Sequence, residues 1–359
     1  MQKKALIAMS GGVDSSVAAY LTLQAGYQCV GATMRLYDDY PAELGACCRL
    51  ENVEDARNVA NRLHIPFHVF NFKDAFTDKV ISKFIRCYEK GATPNPCIDC
   101  NRHLKFDQLL RSAVELGCDY IVTGHYSRIR FDEATGRYLL YKAADAAKDQ
   151  SYFLYSLTQH QLAHILFPLG ELTKPEVRQL AEEQAFINAR KHDSQDICFV
   201  PDGDYMTFIQ EYTGKDYPAG NFLDLQGNVV GRHQGAIAYT RGQRKGLGLA
   251  MGAPVYVCSK NMEENTVTVG PNQALFTSSL LAKDWFWFPF PELNGPIRVK
   301  AKVRSRQVEQ PATAYPEANG AARVIFDEPQ RAVTQGQSVV LYDGDLVVGG
   351  GTITEVIPD

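Results

Sequence analysis

Residues 5 to 16 read Ala5-Leu6-Ile7-Ala8-Met9-Ser10-Gly11-Gly12-Val13-Asp14-Ser15-Ser16: five apolar residues running into a serine, two glycines and, two positions on, two more serines. The apolar run has the character of a buried strand, and residues 17–25 after it that of a helix closed by Gly26. The loop between them therefore sits where a parallel sheet opens a crevice and where unpaired N–H groups at a helix start attract anions. Gly11 and Gly12 let the backbone approach a phosphate closely, and Ser10, Ser15 and Ser16 add hydroxyl donors. No Gly-Lys-Ser/Thr follows, so this is not a Walker A loop, and the Gly-x-Gly-x-x-Gly of dinucleotide sites is missing here. A plain serine-capped helix after a glycine turn would explain the serines but not their placement directly behind the first strand.

Further along the chain, residues 27–34, 67–70 and 120–123 read as strands, and 53–63 and 104–116 as helices, the latter closed by Gly117. Strand and helix alternate four times, which predicts an α/β fold with a doubly wound, mostly parallel sheet over residues 1–203. Beyond residue 200 glycines become frequent between short alternating segments, with one helical stretch at 205–212. That texture predicts a small, mostly β central domain over 204–275. Strand-like segments at 297–306, 321–326, 338–342 and 346–348 predict a C-terminal β-barrel over 276–359.

With 359 residues, 45% of them hydrophobic and 22% charged, the chain can bury two or three cores. No apolar stretch approaches the ~18 residues of a membrane span, and the N-terminal apolar run ends in glycines rather than in a secretory pattern. We therefore expect a cytoplasmic protein with no membrane partner. In a reducing compartment its nine cysteines are thiols, ligands or catalysts before they are a disulfide framework. A formal net charge of -4 neither points to nucleic acid nor excludes it, because placement of the basic residues decides.

Residues 92–101, ATPNPCIDCN, set Cys97 and Cys100 three apart in a proline-punctuated loop. Such a pair can grip zinc, shuttle electrons, hold an iron–sulfur cluster or supply a nucleophile. A closed zinc site wants four ligands and no second Cys-x-x-Cys exists, although His103 is near. Cys29, Cys87, Cys118 and Cys258 read as small hydrophobes, while Cys47 and Cys48 fall in a loop on the expected nucleotide side.

Residues 296–307, PIRVKAKVRSRQ, place Arg298, Lys300, Lys302, Arg304 and Arg306 at every second position with no acidic residue among them. In one strand this puts five positive charges on one face, a pattern that fits a polyanion backbone better than a solvated face of mixed sign. Arg241, Arg244 and Lys245, set among glycines, form a second basic loop. Tyr152 and Phe153, beside Lys148 and Gln150, could hold an extruded base or serve as helix core.

The loop SGGVDSS (10–16) resembles the pyrophosphate loop of the ATP pyrophosphatase superfamily, whose members split ATP between its α and β phosphates and adenylate a substrate. TPNPCIDCNRHLKF (93–106) and DSQDICFVPDGDY (193–205) are similar to the two cysteine motifs of the bacterial tRNA-specific 2-thiouridylases. TGHYS (123–127), KDQSYFL (148–154), FPLG (167–170), RGQRKGLG (241–248) and GGG (349–351) extend the resemblance over essentially the whole chain. It implies an adenine nucleotide α-hydrolase-like fold that uses ATP and Mg²⁺ to activate the C2 oxygen of the wobble uridine, U34, in the anticodon stem-loop of tRNA. Sulfur then replaces that oxygen, delivered as a cysteine persulfide that a cysteine desulfurase or sulfur-relay protein supplies. The chemistry is coherent: adenylation makes a poor leaving group depart as AMP, and a persulfide is a far better nucleophile than water.

By matching positions, the resemblance implies that Cys198 bears the persulfide and Cys100 is the partner thiol. Ala8, Met9, Ser10, Gly11, Gly12, Val13, Asp14, Ser15, Met34 and Gly124 fall at ATP positions. Asn95, Pro96 and Cys97 fall where the family meets the target base, and His125, Lys148, Asp149, Gln150, Arg304, Ser305 and Gln337 where it meets tRNA. The departure is Cys97, where well-studied members often carry aspartate, so an acid–base role for that carboxylate does not transfer. Cys97, Cys100 and Cys198 could instead hold a [4Fe–4S] cluster that delivers the sulfur, which is the alternative to a persulfide relay. Remoter alternatives are a small-molecule adenylating synthetase and a noncatalytic, tRNA-binding sulfur carrier.

Overall fold

The computed structural model describes residues 2–37, 50–193, 197–200 and 203–358. Cys47 and Cys48 lie outside the described residues. Strands β1 (Lys4–Ala8), β2 (Gln28–Arg35), β3 (Phe67–Asn71) and β4 (Tyr120–Val122) lie in one parallel sheet, completed by β7 (Ile165–Leu166), in the order β3-β2-β1-β4-β7. β1 is central, and Ala5, Leu6 and Ile7 are fully buried because helices cover both faces of a parallel sheet. The chain runs outward from β1 to β3 on one side and from β4 to β7 on the other. This makes the gap between β1 and β4 the switch point, and the crevice opens outside their carboxyl ends. The expected α/β sheet is therefore present, with one edge strand, β7, that the sequence reading omits.

Helix α1 (Val13–Gln24) follows β1 across the glycines, with Gly12 extended at its N-cap. Gly11 takes φ +73, and a Cβ there would stand 2.3 Å from the carbonyl oxygen of Asn52 in α2 (Leu50–Arg62). Both facts demand glycine. Residues 96–115 form a continuous helical rod: a first turn Pro96–Cys100, a wider π-helical stretch Asn101–Gln108, and Leu109–Glu115. Cys97 and Cys100 are thus on a helix and not in the loop that the prolines suggested. Pro96 is at the first turn, where its missing N–H would have had no partner anyway.

The hairpin β5 (Arg128–Asp132) and β6 (Arg137–Tyr141) leaves the parallel sheet and joins the C-terminal one, where Tyr141 pairs with Leu346. Around residues 204–275, the helix Tyr205–Thr213 precedes a four-stranded sheet of β8 (Gly220–Leu223), β9 (Val229–His233), β10 (Tyr256–Asn261) and β11 (Thr266–Gly270). The last six strands are β12 (Phe276–Trp287), β13 (Ile297–Lys302), β14 (Gln310–Pro316), β15 (Ala322–Arg331), β16 (Ser338–Asp343) and β17 (Leu346–Ile357). They run β12-β15-β14-β13-β16-β17, and β12 pairs back with β17, closing an antiparallel barrel. Closure leaves no free edge among the six and encloses Leu280, Ala301, Val324 and Leu341. Among the described residues, no helix is long and apolar enough to cross a membrane.

Candidate active site

The phosphate loop is braced from several directions. Ser10 N donates to Ser15 Oγ at 3.2 Å, and the hydroxyls of Ser15 and Ser16 donate to Gly12 O at 3.0 and 3.1 Å. Asn188 Nδ2 donates to Gly11 O at 3.0 Å and to Ser16 Oγ at 2.9 Å. From the far side of the switch point, Gly124 presses against the start of α1; a Cβ on it would stand 2.7 Å from Asp14 C and Ser15 N. The loops after β1 and β4 thus meet at Gly124 with no side chain between it and the backbone that starts α1.

Asp14 puts a carboxylate at this anion-attracting end, and a neighbour that sequence reasoning missed neutralises it. Lys174 Nζ lies 2.7 Å from Asp14 Oδ1 and 2.8 Å from Oδ2, and the same amine reaches Asp193 Oδ1 at 2.8 Å. Tyr126 Oη also donates to Asp14, at 2.8 Å. Asp193 gathers Lys148 at 2.7 Å and Arg178 at 3.2 Å. Partial burial pushes the Asp193 pKa up, but hydrogen bonds from Lys148 and Lys174 outweigh it and hold the pKa at about 2. One signal for Lys174 was legible: in Thr173-Lys174-Pro175-Glu176 a capping box starts a helix, and a lysine in a first turn opposes the helix dipole unless something else holds it.

Two cysteine-bearing segments pack on one face of the parallel sheet. Cys100 and Cys198 both pack on the buried cluster that also receives Ala8 from β1 and Met34 from β2. Cys198 is fixed through its backbone, whose carbonyl accepts from Tyr37 Oη at 2.9 Å, and through Phe199, which makes edge contacts with Phe76 and Phe84. Burial of that ring is worth roughly 2–3 kcal/mol. The helix carrying Cys100 is held by buried Asp99, which accepts from Lys83 Nζ at 2.6 Å, and by Asn101, which donates to Phe153 O at 3.0 Å. Cys97, by contrast, is exposed. Among the described residues no three His, Cys, Asp or Glu side chains are grouped as a metal site requires. Cys29, Cys118 and Cys258 are buried and Cys87 half-buried, in keeping with packing roles.

The residues matched to tRNA positions divide. Asp149 is used within the fold, accepting from Ala143 N and Ser151. Gln150 accepts from Tyr126 N, and Gln337 donates to the carbonyls of Thr93 and Pro94. His125 is packed between Phe106 and Phe167 with Nδ1 2.7 Å from Thr123 Oγ1, and burial lowers its pKa well below that of free histidine, keeping the ring neutral. Tyr152 is core, its hydroxyl donating to Ser338 O.

The basic strand is shorter and more mixed than its sequence suggests. β13 ends at Lys302, and residues 303–306 turn away. Arg298 pairs with Asp327 of β15, two strands away, and Lys302 with Glu309, just past the stretch. Arg304 leaves the strand face and lines a cavity of about 450 Å³ with Arg241, Asp204, Tyr205, Gln234, Thr240 and Gln243. Arg241, Arg304 and Arg331 come together where the central module meets the barrel, and they, like Lys300 and Arg306 elsewhere on the barrel, form no ion pair with a carboxylate among the described residues.

Family models match in three blocks: a tRNA methyl transferase HUP domain over residues 3–202, a tRNA methyl transferase PRC-barrel domain over 206–271, and an aminomethyltransferase beta-barrel domain over 277–353. The chain is 50% identical over 355 residues to the tRNA-specific 2-thiouridylase MnmA of Clostridioides difficile, covering 98% of each chain. It is 51% identical over 356 residues to the enzyme of the same name from Acetivibrio thermocellus, covering 98% of this chain and 99% of that one. Among solved structures, a 4-thiouridine synthetase–RNA complex with bound ATP aligns at 19% identity and a TM-score of 0.38, over 58% of this chain and 50% of that one.

Proposed function

The chain belongs to the tRNA-specific 2-thiouridylase family, and on that basis we propose that it uses ATP to adenylate the C2 oxygen of U34 in tRNA and replaces that oxygen with sulfur carried on Cys198. The observation that carries the proposal is convergence. Cys100 and Cys198, far apart in sequence, pack on one buried cluster, the same one that receives Ala8 at the end of β1 and Met34 near the end of β2. Packing on one sheet face supports a reading in which an adenylated base and a sulfur donor meet in one crevice.

The phosphate loop and the start of α1 hold the ATP phosphates, with Lys174 cancelling the charge of Asp14 beside them. Among the described residues no set of three His, Cys, Asp or Glu side chains offers Mg²⁺ a protein cage, so Mg²⁺ would be held largely through the phosphates. Cys198 carries the persulfide. The Cys100 thiolate attacks its inner sulfur; the S–S bond of the persulfide breaks, hydrosulfide leaves, and a Cys100–Cys198 disulfide forms. Hydrosulfide adds to C2, and the C2–O bond breaks with AMP as leaving group. An external thiol reduces the disulfide, and a cysteine desulfurase or relay protein in the cytoplasm reloads Cys198. Asn95, Pro96 and Cys97 face the target base, and the unpaired arginines and lysines of the barrel and the 241–245 loop hold the tRNA backbone.

Purified protein with ATP, Mg²⁺, a persulfide donor and unmodified tRNA should yield AMP, diphosphate and 2-thiouridine. Absence of both AMP and 2-thiouridine contradicts the assignment. For sulfur delivery, Cys97→Asp should keep its activity, and anaerobically purified active protein should contain no stoichiometric iron. Loss of activity in Cys97→Asp together with about four irons per chain would replace the relay with a cluster.

A further inference from the structure

Residues 332–337, the link between β15 and β16, are gripped on two sides. On one, Arg304 Nη2 donates to Ala332 O at 3.0 Å and lies 3.4 Å from Thr334 Oγ1, while Arg304 itself lines the basic cavity. On the other, the link holds the segment that leads into the cysteine helix. Thr93 N donates to Gln335 O at 2.9 Å, and Gln337 Nε2 donates to Thr93 O at 2.9 Å and Pro94 O at 3.2 Å. Gly336 sits between with φ +88, and a Cβ on it would stand 3.0 Å from Ala92 Cβ and 3.2 Å from Thr93 N and O. The two segments are therefore in van der Waals contact with no slack between them.

This grip bears on the helix that begins just beyond Thr93. Asn95 is the N-cap of Pro96–Cys100 but makes no side-chain capping bond, so the start of the helix rests on Pro96 and on backbone bonds alone. Thr93 Oγ1 is buried and has no hydrogen-bond partner among the described residues, so backbone bonds hold the residue. Behind the segment, Gly91 packs on Met262 of the central module. The entry to the helix is thus clamped by both accessory modules, and its polar hold from the barrel is Gln335 and Gln337.

We propose that Gln337 is a positioning residue for sulfur transfer: through Thr93 and Pro94 it ties the barrel to the start of the cysteine helix, so that a tRNA phosphate group engaged at Arg304 and the placement of Cys100 are linked through residues 332–337. The proposal rests on Cys100 being the transfer thiol. It differs from the role that the family resemblance implies for Gln337, since an amide whose two hydrogens are committed to Thr93 and Pro94 has no donor left for RNA.

The test uses Gln337→Glu, which keeps the size but loses the donor, and Gln337→Leu. For each, the Kd for tRNA and the single-turnover rate of 2-thiouridine formation at saturating tRNA are measured on the full-length protein. The proposal expects Kd within about twofold of wild type and a saturating rate lower by about tenfold or more, the usual penalty of misplacing a reacting group. A weakened Kd with an unchanged saturating rate makes Gln337 an RNA contact and overturns the proposal, as does no change in either. The rate of Cys100 alkylation by iodoacetamide without RNA, followed by mass spectrometry, gives a second readout on folded protein and should change in both variants; an unchanged rate overturns the proposal. Cys100→Ser in parallel separates the two claims: if it still thiolates, the transfer-thiol reading fails, whereas an inactive Cys100→Ser with unaffected Gln337 variants removes only the strut.

Discussion

Replacing Lys174 with methionine should damage stability and adenylation together. The Lys174 side chain is 9% exposed and its amine serves two carboxylates, Asp14 at 2.7 Å and Asp193 at 2.8 Å. Removing one partner of a fully buried pair costs about 3–5 kcal/mol, because the remaining charge is left without compensation. Here Asp14 is 31% and Asp193 26% exposed, and Asp193 keeps Lys148 and Arg178, so water and the other cations recover part of the loss. An expected cost of about 2–3 kcal/mol lowers the melting temperature of the α/β unit by roughly 4–12 °C, at about 2–4 °C per kcal/mol for a unit of this size. The second consequence is chemical. Asp14 lies in the first turn of α1, and without Lys174 its bare carboxylate repels the phosphates that the loop should bind. Scanning fluorimetry with and without ATP, together with AMP release in the presence of tRNA, measures both. Lys174→Met should melt early, with its shift on adding ATP reduced. A variant that melts within about 1 °C of wild type and releases AMP at the normal rate would rule out the role given to Lys174.

Gly124→Ala should impair ATP use because its Cβ would sit 2.7 Å from the backbone of Asp14 and Ser15, whereas Gly295→Ala meets nothing within 4 Å and should be silent. Overpacking of the first kind costs about 1–3 kcal/mol and is read in urea midpoints and in the KM for ATP; equal behaviour of the two variants contradicts the tight loop–helix seam. Asp193 has a folded pKa lowered to about 2, so its stabilisation is fully present above the unfolded value and is lost as pH falls through about 4 to about 2. The stability gap between wild type and Asp193→Asn, about 2 kcal/mol near neutrality, should close over that window, and a gap that persists at pH 2 would be contrary evidence. Lys300→Gln and Arg306→Gln should weaken tRNA binding and lower the salt slope by about one each, while Arg298→Gln, whose charge Asp327 already answers, should change it little.

Much of the architecture was readable from local pattern. The phosphate loop announces itself because strand, glycine pair and helix start are contiguous, and contiguity is what sequence displays best. β1 to β4 are long or apolar enough to be seen, whereas β7 is two residues and exists only because β4 offers it an edge. The hairpin β5–β6 alternates properly around Thr135-Gly136, yet nothing local says that it pairs with β17, two hundred residues away. The prolines around Cys97 suggested a loop, but proline is equally at home in a first helical turn. The five-charge face of residues 296–307 failed for a different reason: Glu309 returns to Lys302 across the β13–β14 connection, and Asp327 reaches Arg298 from β15, two strands away. Lys174 was missed because its partners, Asp14 and Asp193, are assembled entirely by tertiary structure.

The route of sulfur from Cys198 through Cys100 to the base is tested most directly by loading the protein with ³⁵S persulfide and following one turnover with ATP and unmodified tRNA. Wild type should move one label into 2-thiouridine and leave a Cys100–Cys198 disulfide in equal yield. Cys100→Ser should keep the label on Cys198 and form no 2-thiouridine, although ATP and tRNA are bound. Transfer of the label to uridine by Cys100→Ser at the wild-type rate would contradict the two-cysteine relay.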